Sequence, residues 1–374
     1  MSANHTQRSP RPRGARRSVH GGQAASGWLF ITPVIVILGL FLVVPIVMAA
    51  WVSVSDWAGR GNPFSGGAQF VGAQNYAAIL TDQGLARQDF GTALRNNFYY
   101  VLFVVPLQTI VSLSLAVLVN KRVLKARGFF RTAFYFPSVT SSVAITALFL
   151  FLFTATGAVN KVLAALTIDG PNWLTDPRGV FHVLLGALGV DSAPSGLQGN
   201  PLLGVSWWNW LSGPSVAMCV FIIMAIFTTS GTFMLLFIAA LQNIGGEVEE
   251  AGLMDGANGW QRFRMITVPM LRPTLFTVIT LGLIGTWQVF DQIYAGTAGD
   301  PSKTTLTPAF LSYQTSFTGQ RWGQGAAIAF VLFLIIVVMT AIQRLVLRER
   351  DTVPKRKRFV LSDGTYAADT HGGH

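Results

Sequence analysis

Glu249-Glu250-Ala251-Gly252-Leu253-Met254-Asp255-Gly256-Ala257-Asn258-Gly259-Trp260-Gln261-Arg262-Phe263-Arg264-Met265-Ile266-Thr267-Val268-Pro269 is the stretch on which the fold turns. It follows Gly245-Gly246, and the carboxylates of Glu247, Glu249 and Glu250 fall in or just past a first helical turn. Negative charge there favours the positive end of a helix. Gly256 permits a sharp reversal that a side chain would obstruct. Beyond it Trp260, Phe263 and Ile266 stand at i, i+3 and i+6, which gives a second short helix an apolar face. Pro269 and Pro273 bracket its handover to the next segment.

Long apolar segments lie on both sides of this helix–turn–helix. A membrane-crossing helix needs roughly 20 mainly apolar residues, and six segments qualify: residues 28–52, 98–119, 132–153, 214–240, 273–290 and 324–343. The first follows a basic stretch as a secretory signal would. Its apolar core is too long for a signal, and Pro33 and Pro45 do not resemble a cleavage site, so it reads as a retained span. Val180 to Val190 is a seventh apolar run that covers only about 16 Å, half the hydrocarbon core, and suits an interfacial or loop helix.

The composition agrees. Of 374 residues 51% are hydrophobic and 11% charged, whereas soluble domains carry about 25% charge. The net charge of +11 does not point to nucleic acid, because the basic residues sit in short runs beside apolar segments. Residues 1–27, 120–131, 242–272 and the tail from Arg344 hold 20 Lys and Arg, and the three alternate loops hold seven. The positive-inside rule therefore puts both termini and the 242–272 loop in the cytoplasm. Counting Val180–Val190 as a span would destroy that asymmetry. Residues 1–27 and 350–374 have the composition of disordered segments, and the Lys355–Arg358 run suits contact with anionic membrane lipid.

Several function classes lose ground. The six segments contain no Asp, Glu, Lys, Arg or His, and such residues usually mark proton relays and voltage sensors. There is no Gly-Lys dipeptide, hence no phosphate loop ending in Gly-Lys-Ser/Thr. Neither H-E-x-x-H nor a nucleophile elbow nor a metal-spaced cluster appears, and His371 with His374 is a weak ligand set. No enzyme, cofactor or metal site is expected. Cys219 stands alone, so no internal disulfide forms. A secondary carrier using backbone and hydroxyl ligands stays open.

The Glu250–Pro269 stretch resembles the EAA loop of binding-protein-dependent ABC importer permeases. That pattern is Glu-Ala-Ala, three residues, Gly, nine residues, then Ile-x-Leu-Pro. Here Gly252 replaces the second Ala and Val268 the Leu, with the spacing kept. Phe129-Phe130-Arg131 through Phe136-Pro137 is similar to the family's entry to its third span. Gly157-Ala158-Val159-Asn160 with Asn172-Trp173-Leu174, and Phe290-Asp291-Gln292-Ile293-Tyr294 with Gly299-Asp300-Pro301 and Thr304-Thr305, resemble the sugar and glycerol-phosphate permeases. Asp300 departs from their usual Gly-Gly-Pro.

The resemblance implies an all-α membrane protein of six spans. Residues 1–27 form the cytoplasmic N-terminus, 28–91 the first span with its external loop, 92–345 a five-helix permease core with the coupling loop at 245–269, and 346–374 a tail. It implies alternating access in a bacterial inner membrane, with a sugar-like solute delivered by an extracytoplasmic solute-binding protein. Two ATPase subunits and a second permease subunit are the implied partners. Glu250, Ala251, Gly252, Asp255, Gly256, Ala257, Phe263 and Pro269 would couple to the ATPase. Trp287, Phe290 and Asp291 near the external end of span five, and Thr228, Thr229 and Ser230 within span four, are candidates to stack on or hydrogen-bond a sugar. Belt anchoring and helix-backbone bonding are the plainer readings of the same residues. Residues 176–212 exceed the family's corresponding loop.

Overall fold

The structure, a computed structural model, describes residues 20–64, 66–120, 125–190, 192–199 and 202–346. The readings placed on residues 1–19, on Lys121 and Arg122, on most of the tail with Lys355–Arg358, and on His371 and His374 lie outside the described residues.

The helices in chain order are α1 (His20–Leu38), α2 (Val44–Ser53), α3 (Gln74–Leu80), α4 (Leu85–Asn120), α5 (Arg127–Val139), α6 (Ser142–Leu152), α7 (Ala158–Ala165), α8 (Val180–Ala187) and α9 (Trp207–Trp210). They continue as α10 (Val216–Gln242), α11 (Gly246–Met254), α12 (Gly259–Arg262), α13 (Val268–Met270), α14 (Arg272–Trp287), α15 (Asp291–Ala295), α16 (Pro308–Tyr313) and α17 (Trp322–Val346). Among the described residues no strand forms beyond isolated bridges.

Four continuous helices have the length and apolarity to cross a membrane: Ser26–Ser53, Leu85–Asn120, Val216–Gln242 and Trp322–Val346. Two more candidates are broken helices, α5 with α6 and α12–α13 with α14. The third expected span, 132–153, is thus not one helix. Pro137 lacks an N–H to donate, and the Ser138-Val139-Thr140-Ser141-Ser142 run adds β-branched and hydroxyl residues that favour leaving a helix. Ser141 accordingly takes an extended ψ of 129° before α6. The 180–190 stretch is a short helix of eight residues.

Wide turns mark two prolines. The π turn Gly39–Val43 ends just before Val44-Pro45, and Phe263–Thr267 ends just before Val268-Pro269. A proline ring clashes with the carbonyl four residues back and cannot donate to it. Those carbonyls belong to Phe41 and Met265, the middle of each wide turn, and the residue before each proline donates five back, Val44 to the Gly39 carbonyl and Val268 to the Phe263 carbonyl.

The chain separates into two compact units. Among the described residues the first holds those up to 104, with 139–228 and 286–333. Its core contains Phe90, Tyr100, Phe221, Met224, Ile293, Leu306 and Ile328. Asn96 on α4 donates through Nδ2 to the carbonyls of Lys303 at 2.8 Å and Leu306 at 3.0 Å. Lys303 pairs with Asp89 at 2.6 Å, and Thr305 donates to the Asp300 carbonyl at 2.8 Å. These bonds pin the Gly299–Leu306 loop. Asn160 organises another loop, donating to the carbonyls of Ala155 and Pro171 and accepting from the Trp173 indole at 2.7 Å. A side chain at Gly170 would strike Asn160, and one at Gly157 would strike the Leu152 carbonyl. The Gly-x-x-Asn…Trp pattern is therefore a folding device.

Among the described residues the second unit holds 105–138, 229–285 and those from 334 on. Its core includes Ala116, Val119, Met234, Phe237, Leu271 and Val278. Small residues let helices approach closely in membranes. A Cβ on Gly231 would meet the Phe134 carbonyl oxygen, Ser138 Oγ at 2.7 Å and Tyr135 Cα at 2.9 Å. Amides add polar links: Thr229 donates to Gln108 Oε1 at 2.7 Å, and Gln343 Nε2 donates to Thr280 Oγ1 at 2.9 Å.

Candidate coupling loop and substrate-facing residues

The coupling-loop candidates lie within the second unit. Gly245, extended at ψ 137°, caps α11, and Glu247 and Glu249 occupy its first turn. At the other end the Gly256 N–H donates to the Leu253 carbonyl and the Ala257 N–H to the Gly252 carbonyl, both at 3.0 Å. With Gly256 at φ +72° this is a Schellman stop. The glycine is needed for its backbone and not for space, since a Cβ there would meet nothing within 4 Å. That corrects the expectation of an obstructing side chain.

The chain restarts at once. Asn258 Oδ1 accepts from the Gln261 N–H, and Gln261 Oε1 accepts from the Asn258 N–H, each at 2.8 Å. This is a complete capping box that satisfies two otherwise orphaned donors. After the π turn and α13, Leu271 breaks the helix, and the path bends by 68° into α14. The wide turn also alters the expected apolar face. Ile266 lies against α11, its Cδ1 only 2.8 Å from where a Gly252 Cβ would sit. Phe263 is half-buried and touches Trp260 ring to ring at 5.6 Å, while Trp260 stays exposed.

The eight coupling candidates separate by exposure. Gly252 is buried under Ile266 and Arg262; Ala257, Phe263 and Pro269 are half-buried; Glu250, Ala251, Asp255 and Gly256 are exposed. Sequence reading missed the exposed apolar groups between them: Met254 and Met265 are 89% and 73% exposed, beside Trp260 at 68%. Exposed thioethers and an aromatic ring are soft, adaptable groups, and Glu250 and Asp255 are exposed in the same loop.

The substrate candidates have varied surroundings. Thr228 donates to the carbonyls of Met224 and Ala225 in its own helix, the plainer reading. Thr229 is bound to Gln108, and Ser230 is buried. Trp287 is buried and its carbonyl accepts from Asn97 Nδ2 at 3.0 Å. Its indole N–H and Asn97 Oδ1 are both buried without a protein partner. Phe290 joins a ring cluster with Tyr294 (5.5 Å, stacked) and Tyr313 (5.3 Å, edge-on), and Asp291 is exposed beside it. Asn97 and Gln108 were passed over because a search for ionisable groups in apolar runs ignores amides.

Among the described residues no cluster of three metal-ligating side chains occurs. In the 176–212 segment the Arg178 hydrogen bonds hold the Asp176 carboxyl below its ordinary range, across a 2.7 Å ion pair.

Residues 108–351 match the model of the family described as binding-protein-dependent transport system inner membrane component. The chain is similar to the lactose transport system permease protein LacF of Rhizobium radiobacter, 31% identical over 342 residues, covering 90% of this chain and 98% of that one. It is also similar to the trehalose/maltose transport system permease protein MalF of Thermococcus litoralis, 29% identical over 320 residues, covering 86% and 92%. In fold it resembles a chain of the bacterial alginate ABC transporter, solved in complex with an alginate pentasaccharide-bound periplasmic protein. That match has a TM-score of 0.63 at 18% identity, over 87% of this chain and 95% of the other.

Proposed function

Because this chain belongs to the family of inner membrane components of binding-protein-dependent transport systems, we propose that it is the permease subunit through which a sugar or sugar-like solute enters the cell. The observation that carries the reading is the coupling loop: a glycine-stopped helix and a capped second helix presenting Met254, Trp260 and Met265 among exposed carboxylates. Such a surface suits insertion into a cleft of a partner, and the bend at Leu271 joins it to α14.

ATP hydrolysis belongs on two separate ATPase subunits, since the chain has no phosphate loop. A second permease subunit and an extracytoplasmic solute-binding protein complete the assembly, with both termini of this chain cytoplasmic. Glu250, Ala251, Gly252, Asp255, Gly256, Ala257, Phe263 and Pro269 form the coupling element. Trp287, Phe290 and Asp291 supply the aromatic faces and the polar group that meet the solute, whereas Thr228 and Thr229 are engaged by their own helix and by Gln108. Sugar specificity is supported by the sugar-transport functions of the relatives and by this mixture of rings and hydrogen-bonding groups.

Purification in mild detergent tests the reading. An ATPase and a second permease should copurify, and the complex should hydrolyse ATP faster when liganded binding protein is added. Recovery without an ATPase, together with solute transport by the chain alone in liposomes, would establish a secondary carrier instead.

A further inference from the structure

The external insertion contains a helix whose depth can be measured against the spans. At eight residues α8 is about 12 Å long and cannot cross a bilayer. Phe181, Val183, Leu184 and Leu188 on its outer side are 38%, 39%, 58% and 80% exposed. His182 points the other way, its ring stacked on Trp208 at 4.2 Å and its Nε2 3.1 Å from the Trp208 carbonyl. The helix is apolar apart from His182 and leaves most of that apolar surface uncovered.

Backbone bonds tie its start to the start of α10. The Val180 N–H donates to the Pro214 carbonyl at 2.9 Å, and the Val216 N–H to the Arg178 carbonyl at 3.0 Å. Gly179 and Gly213 allow this approach, since a Cβ on the first would meet Ser212 Cβ at 2.6 Å and one on the second Phe181 Cδ2 at 2.9 Å. Phe181 in turn touches the rings of Tyr99 at 6.2 Å and Phe103 at 6.4 Å on α4. Phe103 lies five residues inside the apolar 98–119 stretch, about 7.5 Å below its first residue at the α-helical rise. Amphipathic helices at a membrane surface bury their apolar face about 5–10 Å deep. Phe98 and Leu102 of α4 are exposed as well, and the Phe98 ring touches the Tyr99 ring that Phe181 meets.

We propose that α8 lies in the bilayer interface, its Phe181, Val183, Leu184 and Leu188 side chains set among lipid acyl chains at the headgroup boundary, so that lipid holds the insertion at a fixed depth. A water-soluble partner would have to enter the membrane to reach this face. The inference rests on the membrane reading of the spans and not on which side of the membrane the insertion faces.

The test uses the full-length chain in phosphatidylcholine nanodiscs with Cys219→Ser and single bimane-labelled cysteines at Leu184, Leu188 or Gln198, an exposed loop residue. Brominated acyl chains should quench the probe at 184 and 188 and leave 198 unchanged, and aqueous iodide should do the reverse. Iodide quenching at 184 and 188 equal to that at 198 would overturn the proposal, as would shielding from both quenchers, which means a protein covers the face. Because nanodiscs expose both surfaces, a reversed orientation of the chain would not alter the result, so failure here is separable from failure of the topology.

Discussion

Gly256 offers the sharpest test of the coupling reading, through a series of substitutions that separates backbone from surface effects. At φ +72° an L-residue pays about 1–2 kcal/mol for the left-handed conformation. With nothing within 4 Å of a Cβ, no contact penalty adds to it. A cost of that size lowers the fraction of loops holding the Schellman stop by a factor of about 5–30 relative to unwound alternatives. Asn visits this conformation readily and β-branched residues hardly at all. Gly256→Asn should therefore keep most ATP-driven uptake, Gly256→Ala should lose several-fold, and Gly256→Val should lose nearly all. The assay is solute uptake and binding-protein-stimulated ATP hydrolysis in proteoliposomes of the assembled complex, with equal amounts of subunit in the membrane as the folding control. If Asn and Val act alike, or Ala costs nothing, the backbone argument is wrong and the position acts through its surface.

Topology is checked with single cysteines in a Cys219→Ser background: Gln198→Cys should react with an impermeant reagent applied to intact cells, and Met254→Cys only after permeabilisation. Asn160→Ala removes both donors and the acceptor of a loop hub and takes the acceptor from the half-buried Trp173 indole; the loss, about 0.5–1.5 kcal/mol per hydrogen bond, should lower the thermal midpoint, and an unchanged midpoint would deny the hub its role. Gly231→Leu should prevent close approach of α5 to α10 and reduce folded yield, with Gly231→Ala intermediate, as read by size-exclusion recovery. Burial lowers the His182 pKa, opposed by the Trp208 carbonyl and aided by the Arg95 charge, so neutral His182 contributes stability above the unfolded value near 6.5. That contribution is lost as pH falls through the lower folded value; amide exchange in α8 should rise on acidification after correction for intrinsic rates, and His182→Gln should flatten the change.

The parts legible in the sequence are those written in short-range chemistry. Apolar length locates the candidate spans, and the glycine after Asp255 locates the stop of α11. The Asn258–Gln261 box was equally available, being an Asn followed three residues later by Gln. The break at Thr140 was less so, since a Ser/Thr-rich run after one proline also occurs in unbroken membrane helices. The exposure of Met254 and Met265, and the burial of Asn97 and Gln108, depend on which side of a helix meets a neighbour. With apolar residues all around a span, the usual periodicity is silent.

The wide turn at Phe263–Thr267 has a consequence for how strictly the loop counts its residues. Each residue added to an α-helix turns everything beyond it by about 100°, yet a π turn takes up one extra residue locally and leaves its two flanks in phase. The interval from the Asn258 cap to Pro269 therefore carries one residue more than the angle between its ends requires, and the ring of Pro269 keeps that surplus in place. A single deletion inside the turn would remove that surplus and set the proline against the carbonyl four residues back, as Pro33, Pro106 and Pro137 are set within α1, α4 and α5.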